Sequence, residues 1–190
     1  MTWIKICGIT SPKDAEAAIK AGVSAIGLVF AASSPRRVTL EQARKIAALA
    51  RDRVQLVGVF TEAGEVAAAH ELVAFDLVQI HGDAPLDVAV PLMRAVRPEH
   101  LDQTAFDESE IALIDGSEGK GIAFNWARVR SRAGRFVIAG GLTPENVGNA
   151  IAAARPYGVD VSSGVESARG VKDPVKIDRF VEAVRRADGV

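Results

Sequence analysis

The stretch Phe136-Val137-Ile138-Ala139-Gly140-Gly141-Leu142-Thr143-Pro144 joins three signals in one short run. An apolar run reads as a buried strand. A glycine pair marks a tight turn at its end. Threonine before proline then reads as the N-cap and first residue of a helix. The same succession echoes near the start of the chain, where Gly8-Ile9-Thr10-Ser11-Pro12 follows the apolar run Ile4–Cys7.

Working outward, eight such runs occur: Ile4–Cys7, Ala25–Phe30, Val54–Phe60, Leu77–Ile80, Pro91–Val96, Ile111–Ile114, Phe136–Ala139 and Val159–Val161. Most are apolar on both faces, as in parallel strands covered by helices on one side and packed inward on the other. Helix starts fall between them. Ser11 precedes Pro12, Thr39 and Gln42 have capping-box spacing before a helix over 40–51, and Asn125 is a cap candidate after the sixth strand. Asp173 precedes Pro174 and opens a last helix with an apolar face of Val175, Ile177, Phe180, Val181 and Val184. Eight alternating units predict an α/β fold, a (β/α)8 barrel over residues 1–190, in preference to an open doubly wound sheet. Such barrels usually need ~200 residues or more. The deficit falls between strands four and five (82–90) and in the polar fifth connection (97–110), so short or irregular fourth and fifth helical connections are expected.

Composition narrows the function. The 190 residues are 48% hydrophobic and 25% charged, enough for one substantial core. A net charge of −1 gives no electrostatic case for nucleic acid or an anionic membrane. The single cysteine, Cys7, permits no internal disulfide and fits a reducing compartment, and no signal peptide precedes the first strand, so a cytoplasmic location is expected. No apolar run is long enough to span a bilayer. Of three histidines, His70 and His100 fall in helix or connection segments, which argues against a metal cluster. No cofactor is expected, and a monomer is the default expectation.

In this architecture, sites gather at the C-terminal ends of the strands. That rule selects Cys7-Gly8, Ser34-Pro35-Arg36-Arg37, Gln79-Ile80-His81-Gly82, Asp115-Gly116, Gly140-Gly141, and Asp160 with Ser162-Ser163-Gly164. Loops after strands seven and eight are the usual phosphate site of the fold, so Gly140, Gly141, Ser163 and Gly164 read as a phosphate cradle or as tight turns. Cys7 faces the same way as Lys5 and reads either as a small buried hydrophobe or as a general base favoured by a nearby cation. Asp115 reads as a turn cap or a protonated general acid. His81 is a ligand contact or a structural histidine. Arg36 has the geometry to grip a carboxylate with two N–H groups. The stretch 116–121 looks like a phosphate-binding P-loop but lacks Ser or Thr after Lys120, which excludes that reading.

The runs Lys5–Thr10, Ser34-Pro35-Arg36, Val78–Gly82, Ile138–Val147 and Val159–Glu166 together resemble the phosphoribosylanthranilate isomerases of tryptophan biosynthesis, in order and over nearly the whole chain. The resemblance implies a cofactor-independent Amadori rearrangement of N-(5′-phosphoribosyl)anthranilate to 1-(o-carboxyphenylamino)-1-deoxyribulose 5-phosphate. It implies Asp115 as general acid and Cys7 as general base. Arg36 would partner the anthranilate carboxylate, Asp160 would contact sugar hydroxyls or orient the site, and backbone around Gly141, Ser163 and Gly164 would hold the phosphate. Three departures stand out: Asn125 where the family usually has aspartate, Arg94 on strand five where a lysine is common, and Glu118-Gly119-Lys120-Gly121 in the loop after strand six. Two other readings fit a phosphate-binding barrel. One is a sugar-phosphate epimerase or aldolase, using a metal or a Schiff-base lysine. The other is a barrel that binds a phosphorylated metabolite without turning it over.

Overall fold

A computed structural model describes residues 1–81, 89–104, 106, 109–116, 124–129 and 134–190. Eight parallel strands close into a barrel in chain order. They are β1 (Trp3–Cys7), β2 (Ala25–Val29), β3 (Gln55–Phe60), β4 (Leu77–His81), β5 (Leu92–Val96), β6 (Ile111–Asp115), β7 (Phe136–Ala139) and β8 (Gly158–Val161). Each matches one of the eight apolar runs to within a residue or so. The β1–β8 pairing, with Lys5 opposite Asp160, closes the ring.

Outside it lie α1 (Pro12–Ala21), α2 (Leu40–Ala50), α3 (Val66–Val73), α4 (Val147–Ala154) and α5 (Pro174–Asp188). The caps explain where several of them start. Ser11 Oγ accepts from the Asp14 amide at 3.1 Å. Thr39 and Gln42 make both bonds of a capping box. Asp173 Oδ1 accepts from the amides of Val175 and Lys176. On α5 the expected apolar face is buried except Val175, which sits in the first turn and is 65% exposed. The helix expected to begin at Pro144 starts later, at Val147. Asn146 Oδ1 accepts from the Thr143 amide and its Nδ2 donates to the Gly141 carbonyl, so Thr143–Asn146 is held as a turn ahead of α4.

The fifth connection is a 3-10 segment, Pro98–Gln103, with no α-helix among its described residues. The fourth connection lies largely outside the described residues, as do 117–121 of the P-loop-like stretch. After β6, Asn125 Oδ1 accepts from the Ala127 amide at 3.2 Å and caps the 3-10 turn Trp126–Val129, so the capping role needs no carboxylate. Arg94 pairs with Glu110 at 2.6 Å. It alternates with the inward Met93 and Ala95 and so faces away from the barrel interior.

Side-chain alternation divides the core in two. One cluster lies between the strands and the helices. The other fills the barrel: Trp3, Cys7, Ala25, Val29, Val57, Val59, Leu77, Met93, Ile111, Leu113, Val137 and Ala139. In the outer cluster Phe30 and Phe60 stack with centroids 4.9 Å apart, and Phe75 meets both edge-on. Gly58 on β3 makes room, since a Cβ there would stand 2.9 Å from the Phe75 ring. Phe60→Ala removes the fully buried ring of this trio and is expected to cost about 3–5 kcal/mol. Urea unfolding followed by tryptophan fluorescence checks this, and an unchanged midpoint would contradict it.

Candidate active site

Because the inward positions alternate, the same parity that fills the barrel carries polar residues to its C-terminal mouth. Lys5 and Cys7 follow Trp3 on β1, Gln79 and His81 follow Leu77 on β4, Asp115 follows Leu113 on β6, and Asp160 stands on β8. A cavity of about 500 Å³ opens there, within the usual range for small-molecule sites. Cys7, Arg36, His81, Asp115, Gly140, Gly141, Asp160 and Ser163 all line it. Of the four residues read as a phosphate cradle, Gly164 is not on the lining. It lies against the loop after β7, where a Cβ would clash with the Leu142 carbonyl oxygen. Only glycine lets the loops after β7 and β8 approach this closely. Gly140 and Gly141 both have positive φ, at 85° and 66°, which explains the glycine pair.

The floor of the cavity is a buried polar chain. Lys5 is fully buried, and its Nζ donates to Gln79 Oε1 at 2.8 Å and to Asp160 Oδ2 at 2.9 Å. Gln79 Nε2 in turn lies 2.8 Å from His81 Nε2. Burial works against the Lys5 ammonium, but the charges of Asp160 and Cys7 outweigh it and hold its pKa above the ordinary value. Burial holds the Cys7 thiol above its ordinary value, with Asp160 reinforcing the rise and Lys5 and Lys172 offsetting part of it. Asp160 Oδ1 is buried and has no hydrogen-bond partner among the described residues.

Behind Arg36 on one wall lies an ion cluster that the sequence pattern did not isolate. After β8 the chain forms a small hairpin, β9 (Glu166–Ala168) and β10 (Val171–Lys172). Glu166 accepts from Arg36 Nε at 2.7 Å and Nη2 at 2.9 Å. It also accepts from Lys172 Nζ at 2.9 Å and the Gly170 amide at 3.1 Å. Lys172 donates as well to the Ser162 carbonyl at 3.0 Å, and Ser162 Oγ donates to the Cys7 carbonyl at 2.9 Å. Arg36 is therefore gripped along one edge by Glu166, where the sequence assigned its two-pronged grip to a substrate carboxylate. Nη1 and the second N–H of Nη2 are not used by Glu166 and form a second edge. Gly8 has φ 76°, and a Cβ there would collide with the Arg36 side chain. Glu166 belonged to a motif already quoted. Lys172 had no sequence signal, because the hairpin that delivers it is not foreshadowed by any periodicity.

A closed parallel barrel with a polar cavity at the strand ends, flanked by glycine loops after β7 and β8, defines a (β/α)8-barrel enzyme. A model of the N-(5′-phosphoribosyl)anthranilate isomerase family matches residues 4–183. An isomerase of that name from Pseudomonas fluorescens is 43% identical, over 97% of this chain and 96% of the relative. One from Geotalea uraniireducens is 41% identical over the full length of both. The solved phosphoribosyl anthranilate isomerase of Thermotoga maritima superposes with TM-score 0.85 at 33% identity over 100% of both chains. That of Thermus thermophilus gives 0.86 at 33% identity, over 97% of this chain and 99% of the other. The chain belongs to the N-(5′-phosphoribosyl)anthranilate isomerase family. It is an isomerase.

Arg36 and Lys172 hold the Glu166 carboxyl at about 2 although burial pushes it upward, against an ordinary 4.5. A depressed folded pKa stabilises the fold fully above the unfolded value, and that stability is lost as pH falls through the folded one. Unfolding free energy is therefore expected to decline from about pH 5 toward pH 2. Glu166→Gln is expected to be about 3 kcal/mol less stable at neutral pH, since it strands two buried cations, and to lose much of that acid slope. Urea unfolding across this pH range reads both effects, and a variant with the parent's slope would contradict the assignment.

Proposed function

We propose that this chain carries out the Amadori rearrangement of N-(5′-phosphoribosyl)anthranilate to 1-(o-carboxyphenylamino)-1-deoxyribulose 5-phosphate, in tryptophan biosynthesis, with Asp115 as acid and Cys7 as base. The observation that carries the reading is that both side chains line one cavity, on β6 and β1, between a glycine-loop cradle and an arginine. The two ends of the substrate are anions, and the cavity offers a different partner to each. The loops after β7 and β8, with Gly140, Gly141, Ser163 and Gly164, are suited to the phosphate. The second edge of Arg36 is suited to the anthranilate carboxylate, with Glu166 fixing the plane of the guanidinium from behind. Holding both ends leaves the ribose across the mouth, within reach of the two proton-transfer groups.

The chemistry follows in order. Asp115 gives its proton to the ribose ring oxygen as the bond from that oxygen to C1′ breaks. The anthranilate nitrogen supplies the electrons, and an iminium ion, the protonated Schiff base, remains between nitrogen and C1′. The Cys7 thiolate takes the proton from C2′. The electrons of that C–H bond become the C1′–C2′ double bond, and the iminium electrons return to nitrogen. The resulting enolamine tautomerises, with loss of the C2′ hydroxyl proton and gain of one at C1′, to the ketone. Asp160 Oδ1, buried and without a described partner, is placed to accept from a sugar hydroxyl and so restrain the ring. His81, steadied by Gln79, is a further substrate contact. The proposal needs one barrel domain, residues 1–190, acting as a monomer.

Phosphoribosylanthranilate generated in situ loses its anthranilate fluorescence on conversion, which gives a direct assay. Rapid protein-dependent decay is expected. Cys7→Ala and Asp115→Asn are each expected to lower the chemical rate by at least ~100-fold with the fold intact. Near-normal turnover in either folded variant would sink that role. Gly164→Ala forces the two loops apart and is expected to raise KM, and to weaken competition by inorganic phosphate, with a smaller effect on kcat. An unchanged phosphate inhibition constant would contradict the cradle.

A further inference from the structure

A thiol on the floor of a barrel is a poor base unless something stabilises its anion, and burial alone drives Cys7 toward the neutral form. The sequence pattern of β1 puts Lys5 one inward position below Cys7. Across the β1–β2 pairing the residue in register with Cys7 is Gly27. A Cβ at Gly27 would stand 2.9 Å from Lys5 Cε and 3.1 Å from Cys7 Sγ. The hollow left by this one glycine is thus shared by the lysine stem and the cysteine sulfur. Any larger residue would push them apart.

The ammonium at the end of that stem has three N–H donors. Gln79 Oε1 takes one and Asp160 Oδ2 another. Register fixes the second contact, because Lys5 and Asp160 are direct partners in the β1–β8 pairing. Gln79, steered by His81, fixes the first. Neither of these two acceptors uses the third donor, and the end of the lysine stem and the Cys7 sulfur flank the same hollow at Gly27, so the ammonium charge acts on the sulfur at close range. We infer that Lys5 is a positioning residue for the base: held by Gln79 and Asp160, its ammonium turns one N–H to the Cys7 sulfur and supplies the positive charge that stabilises the thiolate. Lys5 keeps all its protons through the cycle. Only Cys7 changes state, from thiolate to thiol as it takes the C2′ proton.

The inference rests on the reading of Cys7 as base, but the structural coupling can be measured without turnover. The groups facing Cys7 are Lys5 from its own strand, Asp160 from β8, Lys172 from β10 and Arg36 from the loop after β2, with Asp115, His81 and Arg169 on the same cavity. Removing Lys5 alone strands the Asp160 carboxylate, so the decisive comparison is between Asp160→Asn and Lys5→Met/Asp160→Asn, which differ only in the lysine. Cys7 is the only cysteine of the chain, so thiolate ultraviolet absorbance, or the rate of alkylation by iodoacetamide against pH, reads it alone. The double variant is expected to titrate at least one unit higher than Asp160→Asn, an about tenfold smaller thiolate fraction at a fixed pH below both midpoints. Lys5→Met, if it folds, is expected to shift upward from the parent as well, and to lose kcat with KM little changed. Coincident thiol titrations in the folded double variant and Asp160→Asn would overturn the inference. That result would leave the isomerase assignment standing, whereas absence of fluorescence decay in the parent protein would remove the assignment and leave the measured coupling intact.

Discussion

The alternation of side chains in a closed parallel barrel is the constraint on which the site depends. Eight strands in ring order give one set of inward positions, and the lower ones are filled by Trp3, Leu77, Met93, Ile111 and Val137. The next inward positions toward the mouth carry Lys5, Cys7, Gln79, His81, Asp115 and Asp160. A one-residue slip of any strand would send its polar residue into the apolar layer under the helices and an apolar one into the cavity. Register is therefore enforced by the cost of burying a charge in the wrong layer as much as by hydrophobic packing. Lys5 and Asp160 show this most directly: they are paired in register, and neither is tolerable in the interior without the other.

The second organising element is the hairpin after β8. Its Glu166 gathers Arg36 and Lys172, and Lys172 in turn holds the Ser162 carbonyl. These contacts tie the loops after β2 and β8 together, and Ser162 extends the tie to the end of β1. The residues proposed to meet the substrate carboxylate, its phosphate and its C2′ proton are thus supported by one ion cluster. Glycines at positions 8, 27 and 164 serve the same end by absence of a side chain, each leaving room that a Cβ would fill.

Much of this was legible in the sequence. The apolar runs located all eight strands, and Ser11, Thr39 with Gln42, and Asp173 marked helix starts through local hydrogen bonds that depend on few residues. The strand-end rule alone selects Cys7, Arg36, His81, Asp115 and Asp160, which line one cavity. What was not legible depended on tertiary contact. The sequence offers both edges of Arg36 to a substrate carboxylate, but one edge belongs to Glu166, a partner 130 positions away in the chain. Lys172 sits in a hairpin too short for any period to show. Arg94 looked like a change at the site, yet strand parity turns it outward to Glu110. The start of α4 was placed early because Thr-Pro is a cap signal, while the Asn146 side chain instead closes a turn over Gly141. The fifth connection came out as a 3-10 segment, in line with the shortage of residues there.

The proposed mechanism depends most directly on where the two ends of the substrate lie. A crystal structure with the reduced product analogue, reduced 1-(o-carboxyphenylamino)-1-deoxyribulose 5-phosphate, measures this. The phosphate is expected against the backbone of Gly141, Ser163 and Gly164 and the carboxylate on the outer edge of Arg36. The C1′–C2′ bond is expected between Cys7 Sγ and the Asp115 carboxylate. A phosphate bound elsewhere, or a C2′ carbon beyond the reach of Cys7, would contradict the mechanism.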